Sequence, residues 1–147
     1  MQGAEACQEE LKRAGLTGDR TLSRLLAHLR AEPETHLAFA DVVRVAAEAG
    51  LAATPVSLDR QLQRLADHGL LRRLPTSNAE QIFDTVPEPH AHLVYEEERT
   101  SYVDLHVSSE TLISIIRHAL AEQPDEVDVV VRFRTPRRSA ATARRAA

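Results

Sequence analysis

Aromatic residues make up only 3% of the 147-residue sequence, and tryptophan is absent. The core must therefore be built from Leu, Val, Ile and Ala. Leu and Ala favour helices, and runs of Val favour strands. Cysteine is scarcer still. A single thiol, Cys7, can form neither an intramolecular disulfide nor a thiolate zinc site, and a reducing, cytoplasmic compartment is the expectation. No apolar run approaches the roughly 18 residues of a membrane span. The opening Met1-Gln2-Gly3-Ala4-Glu5 lacks the basic-then-apolar pattern of a secretion signal. Five glycines are spread thinly and form no phosphate-cradling loop. A nucleophile elbow, a Cys/His pairing and a His-Glu-x-x-His zinc motif are all missing, so the expectation is a protein that is not an enzyme.

Charge removes one more class. With 18 basic and 22 acidic residues the net charge is −4, too acidic for a protein that coats nucleic acid by bulk charge. A local basic face stays open. Apolar residues at 43% suffice for a core and exclude wholesale disorder, and the length suits one compact domain or two very small ones. Every basic residue except Lys12 is Arg, whose fork of donors fits phosphates and guanine edges. Residues 135–147, rich in Ala, Arg and Thr, read as a flexible basic tail.

Helix signals dominate the first half. Glu5 to Ala14 reads as a helix closed by Gly15. Asp19 caps a second, striped by Leu22, Leu25, Leu26 and Leu29 and ended by Glu32-Pro33-Glu34. A third carries Phe39, Val42, Val43, Ala46 and Ala47 and stops at Gly50. A fourth begins with Thr54 as cap and Pro55 in the first turn, is striped by Leu58, Leu62 and Leu65, and ends at Gly69. Leu70 to Leu74 and Gln81 to Asp84, joined through Pro75-Thr76-Ser77-Asn78, form a ribbon. This order spells either a winged helix-turn-helix or a small helical domain with a hairpin appended.

After a Pro-punctuated hinge, Thr85 to Pro89, the pattern changes. His90 to Tyr95 and Ser101 to Val107 read as a hairpin. Ser108 or Ser109 caps a helix with Leu112, Ile115, Ile116, Ala119 and Leu120 on one face, ended by Pro124. Glu126 to Arg134 alternates as a strand. A β-β-α-β unit this small cannot hide both faces of its sheet alone, and a homodimer would complete its core. The fold class expected is α+β, with a winged helix over 1–84, a hinge at 85–89 and a dimerisation unit over 90–134.

His90-Ala91-His92 is the constellation that carries chemistry. Residues i and i+2 of a strand share a face, so the two imidazoles can share one ion. The same pattern also fits a surface pair beside a hinge. Asp84 ends the ribbon, Asp104 sits on the partner strand, and His36 precedes the third helix. Three imidazoles with carboxylates and no sulfur suit iron(II), manganese(II) or zinc(II).

The order and spacing of these parts resemble the ferric uptake regulator family over roughly residues 10 to 134, most nearly its iron response regulator branch. The resemblance is carried by Leu11-Lys12-Arg13-Ala14-Gly15-Leu16, His36, Gly69-Leu70-Leu71-Arg72, Ile82-Phe83-Asp84-Thr85, Pro89-His90-Ala91-His92-Leu93-Val94, Tyr102-Val103-Asp104-Leu105 and the Val127 to Arg134 strand. It implies a homodimeric winged-helix transcription regulator of iron or metal homeostasis genes that binds double-stranded DNA. Its regulatory metal would be held by His36, Asp84, His90, His92 and Asp104, with Asp standing where the family usually has Glu. Haem is the alternative signal implied by the branch, although His-Ala-His stands where branch members carry three adjacent histidines.

Three departures matter. Tyr95-Glu96-Glu97-Glu98 replaces the Cys pair that holds a structural zinc in many members, so that zinc is expected to be absent. Pro89 and Ala91 replace ligands of a second metal site. In the fourth helix Ser57-Leu58-Asp59-Arg60 replaces Thr-Val-Tyr-Arg, placing an acid where a base edge or phosphate would lie. Ser57, Arg60, Arg64 and the ribbon's Arg72 and Arg73 are the candidate DNA contacts. The competing expectation is a winged-helix dimer that no longer reads DNA and acts through protein contacts.

Overall fold

Leucine spacing dictates the first part of the fold. In the computed structural model, which describes residues 2–88, 90–96, 99–121 and 129–133, helix α1 spans Gln2–Arg13 and α2 Arg20–Ala31. Helix α3 spans Phe39–Glu48 and α4 Pro55–Asp67. Leu11, Leu22, Leu25, Leu26, Leu29, Leu58, Leu62 and Leu65 are all at most 1% exposed and pack into one cluster. Truncating one of them, such as Leu62, to Ala would cost roughly 2–5 kcal/mol. Residues Met1–Glu88 form one compact unit and the chain from Pro89 onward a second.

The helix ends follow the residues that stand there. Asp19 accepts the Leu22 amide at 2.9 Å, and Thr54 Oγ1 accepts the Ser57 amide at 3.2 Å. Gly50 and Gly69, with φ of 65° and 74°, take the left-handed conformation that closes α3 and α4. The next amide in each case bonds back five residues, Leu51 to Ala46 and Leu70 to Leu65. This turns the backbone and delivers a buried Leu to the core each time. A clamp joins the first two helices: both Arg30 guanidinium nitrogens bond the Glu10 carboxylate, one of them at 2.9 Å, and a third bond reaches the Leu70 carbonyl. Arg30's hydrogen bonds hold the Glu10 carboxyl below its ordinary range, while burial pushes the Cys7 thiol up.

The ribbon holds three strands rather than the two read from the sequence. Strand β1 (His36–Ala38) adds to β2 (Arg72–Leu74) and β3 (Ile82–Asp84) in the order β1-β3-β2, all antiparallel. Three residues are too few to show a period, and β1 exists because β3 offers it an open edge. His36 is thereby a strand residue, not part of a free approach to α3. Register partners share a face. Leu37 and Phe83 join the helical core on one face, and His36, Asp84 and Arg72 form a row on the other.

In the second unit β4 (Ala91–Glu96) lies between β5 (Thr100–Leu105), antiparallel, and β6 (Val129–Phe133), parallel. Helix α5 (Ser109–Ala121) connects β5 to β6. Ser108 is its cap, with Oγ accepting the Thr111 amide at 3.3 Å. No α5 residue is buried, and Ile113, Leu120, Val103 and Tyr95 are 40–59% exposed. The expected strand residues 126–128 and 134, the helix end at Pro124 and the tail 135–147 lie outside the described residues.

Candidate functional site

Each unit assembles metal-ligating side chains of its own. In the first, His36 faces Asp84 across the β1–β3 pairing, with Nε2 3.6 Å from Oδ2. Asp84 is fully buried, and its Oδ1 accepts the Val86 amide at 2.9 Å, which fixes the carboxylate. Thr85 donates its amide to the Thr35 carbonyl, locking the same strand end. Glu34 reaches the other side of the His36 ring, with Oε1 3.3 Å from Nδ1, and accepts the His36 amide at 3.0 Å. The sequence shows Glu34 only as part of a helix stop. No spacing rule marks it, because its role depends on β1 turning His36 back over it.

In the second unit His92 is the register partner of Asp104. His90 Nε2 lies 2.9 Å and His92 Nε2 3.5 Å from the same oxygen, Asp104 Oδ1, and the two rings are 4.3 Å apart. The His92 ring is 1% exposed and meets Tyr102 edge-on at 5.6 Å. The i, i+2 rule thus places both imidazoles beside one carboxylate.

These donors fit a divalent transition metal. Ligands bound at about 2.1 Å in tetrahedral or octahedral geometry stand roughly 3.0–3.4 Å apart. The His36–Asp84, His90–Asp104 and His92–Asp104 separations, 3.6, 2.9 and 3.5 Å, bracket that spacing. The His36 and His92 distances are long for hydrogen bonds. Imidazole and carboxylate without thiolate suit iron(II), manganese(II) and zinc(II). Bound there, such an ion would supply a positive charge that fixes these side chains, while Glu34 orients His36 from outside.

The candidate DNA contacts are distributed unevenly. On α4, Arg60 is exposed and Ser57 half-buried. Arg64 is tied to Asp19 at 3.1 Å. Arg73 folds back onto α4, donating from Nε to Gln63 at 2.7 Å and from Nη2 to Asp67 at 2.6 Å. Arg72 stands in register with Asp84, in the His36 row. Asp59 does not project outward beside Arg60. It is half-buried, and its Oδ1 accepts from the Gln63 and Gln81 amides at 3.4 Å, joining α4 to the segment before β3.

No family model and no curated protein matches the sequence. Solved structures do. A ferric uptake regulator from Pseudomonas aeruginosa, with manganese, superposes with a TM-score of 0.69 at 19% identity, covering 89% of this chain and 97% of its own. The Vibrio cholerae ferric uptake regulator gives 0.66 at 18% identity, covering 87% and 98%. The Campylobacter jejuni peroxide stress regulator gives 0.64 at 14% identity, covering 95% and 100%. The chain has the fold of the ferric uptake regulator family, and these relatives are regulators rather than enzymes. Among the described residues no helix is long and apolar enough to cross a membrane.

Proposed function

We propose that this chain, with the fold of a ferric uptake regulator, is a metal-responsive transcription regulator that binds double-stranded DNA as a homodimer and performs no catalysis. The reading rests on one observation above the others: His90 and His92 converge on Asp104 in one unit, as His36 does on Asp84 in the other. We infer that the five donors serve one divalent ion. Ligands drawn from both sides of the hinge make metal binding and the arrangement of the units a single equilibrium. Linkage then requires that if metal tightens DNA binding, DNA tightens metal binding by the same factor.

The homodimer is supported by the second unit's exposed apolar side chains. Ile113, Leu120 and Val103 are 49–59% exposed, a cost that a second copy of the unit would remove. DNA binding is supported by the helix pair α3–α4 with its Gly-led turn, by the three-stranded ribbon and by Arg60. A second reading, a winged-helix dimer acting through protein contacts, is favoured by the engagement of Arg64 and Arg73 with the protein's own acids.

Calorimetric titration of manganese(II) into His92→Ala and His118→Ala, paired with DNA retention at low salt, tests the proposal. His92→Ala should lose metal affinity and the metal dependence of DNA binding together. His118→Ala should keep both, and light scattering should report dimers for each. Equal metal affinity in the two variants would leave His90 and His92 a surface pair. Absence of DNA retention in the unmodified protein, with or without manganese(II), would favour the second reading.

A further inference from the structure

Helix α4 carries an apolar side chain that the core does not use. Its buried stripe is Leu58, Leu62 and Leu65. Val56 and Arg60, one turn apart, lie on the opposite side of the helix. Val56 is 70% exposed, the only large apolar side chain so exposed in the first unit among the described residues. Nothing local favours it: a β-branched residue is a mediocre helix former, and in the open it forgoes burial. The N-terminal turn of the second helix in a helix-turn-helix is the part that meets base edges. Val56 occupies that turn, between Pro55 and Ser57, with the exposed Arg60 following on the same face. In the major groove only thymine offers a methyl group, and an apolar side chain is what recognises it.

We infer that Val56 is a specificity-determining residue that packs against a thymine methyl group in the major groove, beside a base or phosphate held by Arg60. The inference rests on the DNA-binding reading above and deepens it, naming one base and one side chain. Asp59 is compatible with this placement because its carboxylate is turned aside to Gln63 and Gln81. The charge near the groove is then set by Arg60, with Ser57 as a neutral donor.

The 147-residue protein with manganese(II) selects duplexes from a random library. In the recovered sequence each thymine is replaced in turn by deoxyuridine, which deletes only the methyl group. One position per half-site should weaken wild-type binding about fourfold, the worth of one buried methyl. Val56→Ala should bind the thymine duplex correspondingly less well and be indifferent to uracil at that position. Val56→Thr, which keeps one methyl at the branch, should recover part of the difference. Val56→Ala alters an exposed side chain and removes a β-branch from a helix, so its unfolding midpoint should not fall below the wild type. Equal sensitivity to uracil in the wild type and Val56→Ala, or none in either, overturns the inference and leaves DNA binding standing. Failure to enrich any duplex at low salt overturns the DNA-binding reading itself, and this inference with it.

Discussion

His36 stands opposite Asp84 across the β1–β3 ladder, with its Nε2 3.6 Å from the carboxylate Oδ2. That gap suits two ligands of one ion better than a hydrogen bond. Asp84 has a second duty, because its Oδ1 receives the Val86 amide. Asp84→Asn keeps an oxygen for that amide and loses the charge. Manganese(II) affinity should fall by at least about tenfold with the fold retained, read by calorimetry beside a circular dichroism melt. Undiminished affinity would place the ion, if any, away from this pair.

Glu34 should matter although it is largely solvent-exposed. Its contact with His36 Nδ1 leaves Nε2 as the ligand nitrogen. Glu34→Gln is expected to weaken manganese(II) binding about tenfold or more. Glu32→Gln, two residues earlier and paired instead with Arg44, should leave it unchanged.

Arg60 and Arg64 differ in what they must give up to touch DNA. Arg60 is exposed and forms no ion pair among the described residues, whereas Arg64 must release Asp19. Arg60→Ala should lower affinity for a selected duplex by about 1–3 kcal/mol. Arg64→Ala should lower it by less, measured by fluorescence anisotropy at one fixed salt concentration. The reverse order would contradict this assignment of the helix face.

The turn between α3 and α4 depends on backbone conformation alone at Gly50. A Cβ there would meet nothing within 4 Å, yet φ is 65°. Gly50→Ala should therefore destabilise by about 1–2 kcal/mol through strain without any clash. Gly50→Asn should cost less, since Asn tolerates that region. Urea denaturation of the three proteins decides.

The Glu10–Arg30 clamp gives stability a pH dependence of known sign. The Glu10 carboxyl titrates below its ordinary value near 4.5 because Arg30 bonds its charged form. Its contribution is complete above that ordinary value and is lost as pH falls through the lower folded value. Glu10→Gln should be destabilised by roughly 1 kcal/mol at neutral pH, a small figure because the pair is partly exposed. The difference from wild type should shrink as pH falls below that ordinary value. A constant gap in unfolding midpoints across that range would show that packing, not charge, holds α1 to α2.

Four helices of the first unit, their caps at Asp19 and Thr54 and the Leu stripes were legible in the sequence. Those features depend on spacing within one segment, and local sterics and hydrogen bonds decide them. The pairing of His90 with His92 was legible for the same reason, as a period-two rule inside one strand. The position of His36 was not. Its strand is three residues long and exists only because the Ile82–Asp84 edge, far along the chain, accepts it. Glu34 became visible only once that strand had fixed the ring above it. Asp59 reads in sequence as a charge thrust at DNA, and the tertiary structure turns it aside because Gln81 arrives from another segment to donate to it. Arg64 and Arg73 likewise find their acids, Asp19 and Asp67, through packing rather than through any motif. Which helices form is a property of short windows of sequence, as the caps at Asp19 and Thr54 show. Which distant charges meet was left to the fold, because pairs such as Glu10 with Arg30 and Asp19 with Arg64 depend on register between segments that no local period records.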